Sequence, residues 1–244
     1  MMGKSLRNDD VCFKKIIYEN YKRVVFNVNE AKEKYNRKDD IRIMAVTKTV
    51  EPEFINHAIS LGIGLLGENR VQEYLSKHDK YTGNPEIHFI GRLQSNKVKY
   101  IIDKVDLIQS VDSLKLAAEI DRQAGKRGTV MKILFEVNIG NEVSKMGFIP
   151  EYDVLKYNAD ELIGLSNLRL CGLMTIPPFD SSVNERYFEK MRNLFEKLKA
   201  YGRGVGKDFS ILSMGMSGDY LSAIKYGSNI IRIGTSIFGQ RQKL

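Results

Sequence analysis

Lys48 sits at the end of an apolar run. Ile43, Met44, Ala45 and Val46 read as the inside of a sheet, and the lysine follows them after one threonine. An ammonium group snorkelling out of a strand end explains this placement without any chemistry. The chemical alternative asks for more. An amine held in a dry, apolar mouth is less readily charged, and the neutral amine attacks an aldehyde to form a Schiff base. Such an aldehyde needs an anchor, and two distant segments offer one. "SMGMSGD" at 213–219 brings small residues and the Ser217 hydroxyl ahead of Ala223, Ile224 and Gly227 at helical spacing. Ser217 is the expected N-cap, and free backbone N–H groups at such a start favour a phosphate. "RIGT" at 232–235 adds Gly234, whose backbone admits close approach, and the Thr235 hydroxyl. The same glycines also suit plain tight turns.

Other polar residues point less firmly. Asn69 could orient a ligand, but Glu68-Asn69-Arg70 reads equally well as an exposed helix start. His88 lies inside an apolar run, the usual setting of a satisfied core histidine. Lys97 and Lys145 read as surface charges. His57, His78 and His88 show no HxH or HExxH spacing, so no metal site is expected. Cys12 and Cys171 form no CxxC and are expected to behave as small buried hydrophobes.

These residues meet only if their segments are neighbouring strand ends. Runs that read as strands occur at 42–48, 65–68, 87–91, 107–111, 132–138, 170–176, 211–214 and 230–234, with helical patterns between them. That alternation is the signature of repeated βα units. Phe188, Met191, Phe195 and Leu198 step by 3, 4 and 3, with Gly202 behind them as a C-cap. Phe13, Ile17, Val24, Val28 and Ala31 form one stripe, predicting an extra N-terminal helix that caps the barrel bottom. At 244 residues and 43% hydrophobic content, the chain suits a single (β/α)8 TIM barrel forming one domain over 1–244. An open doubly wound sheet is the alternative. Against it, Gly62 and Gly64 do not extend to GxGxxG, and GxxxxGK[ST] is missing. In a barrel, chemistry gathers at the C-terminal strand ends, and the loops after strands 7 and 8 commonly hold a phosphate.

A formal charge of +8 and a pI near 9.3 suit phosphate ligands of any size. The basic residues are interleaved with acids, as in Lys190, Arg192 and Lys197 against Glu185, Glu189 and Glu196. With neither a basic tail nor an RNA motif, nucleic acid is not an expected partner. No segment approaches the ~18 apolar residues of a membrane span. The opening MMGKSLRNDD also lacks a leader's apolar core, so a soluble cytoplasmic protein without membrane partners is expected.

Seven ordered segments carry a family resemblance: "AVTK" at 45, "GENRVQE" at 67, "HFIGRLQSNK" at 88, "VNIGNEVSKMG" at 137, "GLMTI" at 172, "SMGMSGDY" at 213 and "RIGTSIFG" at 232. Together they resemble the YggS/PROSC family of pyridoxal 5'-phosphate homeostasis proteins, which is related in fold to the alanine racemase barrel. The likeness runs from about residue 10 to the C-terminus. "YGSN" at 226 stands where a threonine-containing turn is commoner.

The resemblance implies a fold-type III barrel with pyridoxal 5'-phosphate (PLP) as a Schiff base on Lys48. It puts Ser217, Gly234 and Thr235 at the phosphate with Met216 beside them, Arg232 opposite the pyridine nitrogen and Asn69 by the ring. Lys145 matches a family lysine tied to cofactor handling. An arginine at the pyridine nitrogen keeps that nitrogen unprotonated and makes the ring a poorer electron sink than a carboxylate partner would. Related racemases take a second acid/base from a partner subunit's β-domain, and only 240–244 follow the expected barrel. The expected function is therefore intracellular PLP homeostasis with little or no catalysis. PLP and PLP-dependent apoenzymes are the expected partners, and a monomer is expected. The alternatives are a PLP-dependent amino-acid racemase with Lys48 as its base, or a Schiff-base aldolase acting on a phosphorylated sugar.

Overall fold

Strand segments buried on both faces lose the polar alternation of half-exposed sheets, which is why the runs here are almost continuously Ile, Leu, Val and Met. They are β1 (Arg42–Val46), β2 (Leu65–Glu68), β3 (Glu86–Phe89), β4 (Leu107–Val111), β5 (Met131–Glu136), β6 (Leu168–Met174), β7 (Ile211–Met216) and β8 (Ile230–Ile233). In the computed structural model, which describes residues 2–142, 145–178 and 184–240, these strands form a closed parallel barrel in sequence order. Ile43 registers with Ile231, so β1 and β8 seal the ring. The open-sheet alternative is excluded. Val143 and Ser144 of the segment at 137, and residues 241–244, lie outside the described residues.

Around the barrel run α1 (Met2–Lys34), α2 (Pro52–Ser60), α3 (Val71–Lys77), α4 (Leu114–Arg127), α5 (Tyr152–Glu161), α6 (Asn184–Tyr201), α7 (Tyr220–Lys225) and α8 (Thr235–Phe238). α4 shows the local logic well. The Ser113 hydroxyl accepts from Leu116 N at 3.3 Å to start it, and Gly128 at φ +64° ends it. α6 buries Phe188, Met191, Phe195 and Leu198, as its spacing predicts, and Leu194 with them. A 3₁₀ segment, Ser95–Tyr100, links β3 to β4.

Three expectations need correction. α1 does not close the barrel bottom but packs beside the barrel on α2, α7 and α8. Asn20 Nδ2 donates to Ile237 O at 3.1 Å and Asn27 Nδ2 to Tyr220 OH at 3.0 Å, while Arg37 beyond the helix donates to Ile224 O at 2.5 Å. The four-residue α8 is too short to cover the β8–β1 seam, and α1 takes the place of a full outer helix there. Second, Cys12 is exposed on α1, whereas Cys171 is buried in the barrel. Third, β1 ends at Val46 because Thr47 to Thr49 turn: Val50 N donates to Thr47 O at 3.1 Å, and Thr49 has φ +62°.

Candidate functional site

The chemistry-bearing side chains meet at the C-terminal mouth of the barrel. A cavity of about 260 Å³ is lined by Lys48 beyond β1, Asn69 beyond β2, Met216 and Ser217 at the end of β7, Arg232 on β8, and Gly234 and Thr235 after it. Val46, Ile90, Ile176 and Gly218 complete the lining. All seven residues expected from the sequence thus face one space. Ile90 and Ile176 were not singled out, since an isoleucine at a strand end carries no signal beyond burial.

The turn bearing Lys48 is tied down from behind. Thr47 Oγ1 donates to Glu68 Oε1 at 2.7 Å, and Tyr81 OH donates to the same oxygen at 2.5 Å. Lys77 Nζ donates to Thr47 O at 2.8 Å and to Glu73 Oε1 at 2.9 Å, and it pairs with Glu68 Oε2 at 3.5 Å. Glu73 Oε1 also accepts from Thr49 N at 2.5 Å. A β-branched residue at positive φ is strained, and this cluster holds it there. Glu68 is fully buried, so the exposed-helix-start reading of Glu68-Asn69-Arg70 fails at its first residue and holds for the exposed Arg70, the N-cap of α3. Gly91 explains Asn69's place: a Cβ at 91 would lie 2.0 Å from Asn69 O and 2.8 Å from its Nδ2.

On the opposite wall Ser217 is not the N-cap of α7. Asp219 takes that position, its Oδ1 accepting from Met216 N at 2.6 Å. Ser217 Oγ instead accepts from Ser236 N at 3.2 Å, joining the two loops expected to share a phosphate. Arg232, only 3% exposed, donates from Nη1 to Ser213 Oγ and from Nη2 to Thr175 O, both at 2.8 Å. Burial pulls this guanidinium down to about 10, leaving it charged at neutral pH. Glu136, at the end of β5, feels both Arg232 and Asp112.

Three polar residues outside the lining, Asn138, Lys145 and His88, play local roles. Asn138 Nδ2 donates to Glu142 O at 2.8 Å and to Lys145 O at 3.0 Å, closing its own loop. Lys145 pairs with Glu142 and lies outside the cavity lining. His88 is a satisfied core histidine, with Gln109 on one nitrogen and Glu86 on the other.

Residues 20–242 match the alanine racemase N-terminal domain family. A pyridoxal phosphate homeostasis protein of Aquifex aeolicus is 41% identical over 228 residues, covering 92% of this chain and 98% of the relative. The chain belongs to the pyridoxal phosphate homeostasis family of alanine racemase-like barrels. Two solved structures set this family member beside known barrels. PipY of Synechococcus elongatus, solved with PLP bound, aligns with a TM-score of 0.74 at 29% identity, covering 87% of this chain and 100% of PipY. A protein from Bifidobacterium adolescentis aligns with a TM-score of 0.86 at 34% identity, covering 93% of this chain and 96% of its own.

Proposed function

We propose that the chain binds PLP at the barrel mouth, holds it as a Schiff base on Lys48, and serves PLP homeostasis with little or no catalysis. One observation carries this reading. A single cavity gathers a lysine amine, a buried guanidinium and two hydroxyls beside glycines, all from C-terminal strand ends. That donor set fits PLP: Ser217, Gly234 and Thr235 would hold the phosphate with Met216 beside them, Arg232 would face the pyridine nitrogen, and Asn69 would lie by the ring. When bound, PLP supplies an electrophilic aldehyde for Lys48. Val46, Ile90 and Ile176 form the apolar side of the lining.

The lining also argues against racemisation. Among the described residues it contains no carboxylate, imidazole, phenol or thiol, so Lys48 is the only side chain there suited to exchange a proton. The names of the relatives point the same way. The reading extends to PLP-dependent apoenzymes as recipients and to a monomeric, cytoplasmic, one-domain carrier. No described helix is long and apolar enough to cross a membrane.

The test is optical. Purified protein given PLP should develop a visible band that borohydride abolishes, and the reduced pyridoxyl group should sit on the peptide containing Lys48. Lys48→Ala should lack the band. Protein that takes up no PLP would sink the assignment, and racemisation of an L-amino acid at ordinary enzyme rates, about 1–1000 per second, would reject the carrier.

A further inference from the structure

Polar side chains cross the barrel interior from one face to the other. At the top, Arg232 Nη1 donates to Ser213 Oγ at 2.8 Å. Ser213 Oγ donates to Gln109 Oε1 at 2.7 Å, and Gln109 Nε2 meets His88 Nδ1 at 2.9 Å. His88 Nε2 meets Glu86 Oε1 at 2.6 Å, and at the bottom rim Arg42 holds Glu86 through Nη2 at 2.5 Å. Ser213, Gln109 and His88 are wholly buried. Apolar side chains from β4, β5 and β6, namely Leu107, Leu134, Cys171 and Met174, form a buried cluster of their own in the barrel.

A buried polar line is costly unless every member is bonded, and aliphatic side chains fill such barrels by default. From Arg232 down to Glu86 every bond points the same way. Glu86 only accepts while ionised, so His88 carries its proton on Nε2 and offers Nδ1 as an acceptor. Gln109 must then turn its NH₂ toward His88 and its carbonyl toward Ser213. Ser213 must donate to that carbonyl, which leaves its lone pairs for Arg232. The guanidinium's other N–H groups are thereby oriented from the opposite rim.

We propose that Ser213, Gln109, His88 and Glu86 form a directional hydrogen-bond relay that positions Arg232 for its ligand in the cavity. These are positioning residues, and the inference rests on the reading in which Arg232 faces the pyridine nitrogen of PLP. His88→Phe keeps the ring's bulk but removes both nitrogens. It weakens PLP binding about three- to tenfold, the value of one or two lost hydrogen bonds, and shifts the visible band. His88→Gln restores both, because its amide presents an acceptor to Gln109 and a donor to Glu86.

A second measurement needs no cofactor. The chain has three histidines, so the ¹⁵N imidazole signals of the apoprotein are resolvable. His88 shows the Nε2–H tautomer, and Ser213→Ala, two bonds along the relay, moves its Nδ1 signal. A proton on Nδ1, or an Nδ1 signal indifferent to Ser213→Ala, overturns the relay whether or not PLP binds. A Lys48-linked band unchanged in both position and affinity by His88→Phe overturns the positioning role while leaving the PLP assignment intact. If His88→Phe does not fold, Ser213→Ala carries the same spectral comparison. A relay seen by NMR in a protein that never takes up PLP supports the relay and rejects only the cofactor assignment.

Discussion

Glu136 ends β5 in a setting that resists its charge. Burial, helped by the nearby Asp112 charge, lifts its carboxyl from 4.5 to about 7, and Arg232 only partly offsets this. The folded chain therefore holds this proton more tightly than the unfolded chain does. The resulting stability is full below the unfolded value and is lost as pH rises through the folded one. Glu136→Gln should accordingly flatten the fall in stability of the cofactor-free protein between about pH 5 and about pH 8, gaining about 1–2 kcal/mol at the upper end. Urea titrations of both proteins across that range check this, and parallel curves would show that the carboxyl titrates normally. Residues of this kind were illegible in the sequence. Lys48 announces itself by ending an apolar run and Ser217 by its glycine neighbours, but Glu136 and Gln109 are single polar letters in strands, and their partners come from other strands.

At the scale of elements, the turn after β1 depends on α3. Lys77 is the cation beside the buried Glu68 carboxylate and also bonds the Thr47 carbonyl. Lys77→Met leaves that carboxylate buried without its counter-charge, and a loss of about 3–5 kcal/mol is expected from thermal melts. Adding Glu68→Gln should recover part of the loss, whereas strictly additive losses would mean the two side chains do not act as a pair. This dependence also shows why strand positions were readable and strand ends less so. Hydrophobic runs locate β1 to β8 within about two residues, because burial on both faces demands apolar side chains. The ends follow turn chemistry set by distant groups. β1 stops where Glu68, Glu73 and Lys77 hold Thr47 and Thr49, and Ser217 is taken from the N-cap by the N–H of Ser236.

For the molecule as a whole, α1 is the element whose existence was readable and whose place was not. Its stripe demands a buried face but names no partner. The docking surface exists only because α8 is short, and that shows only once the ring is closed. Ile17 is fully buried in this contact, and Ile17→Ala should cost about 2–5 kcal/mol in denaturant unfolding. A cost near zero would show that the helix adheres loosely.

The placement of α1 also bears on how the chain is made. α1 leaves the ribosome well before two of its partners, α7 and α8, which lie nearly the whole described chain away from it. At about 5–20 residues per second, Ile17, Val24 and Val28 wait roughly 10–40 s for those elements to emerge. The part of their apolar stripe that α7 and α8 cover is bare for that interval, a natural landing place for a chaperone during biosynthesis.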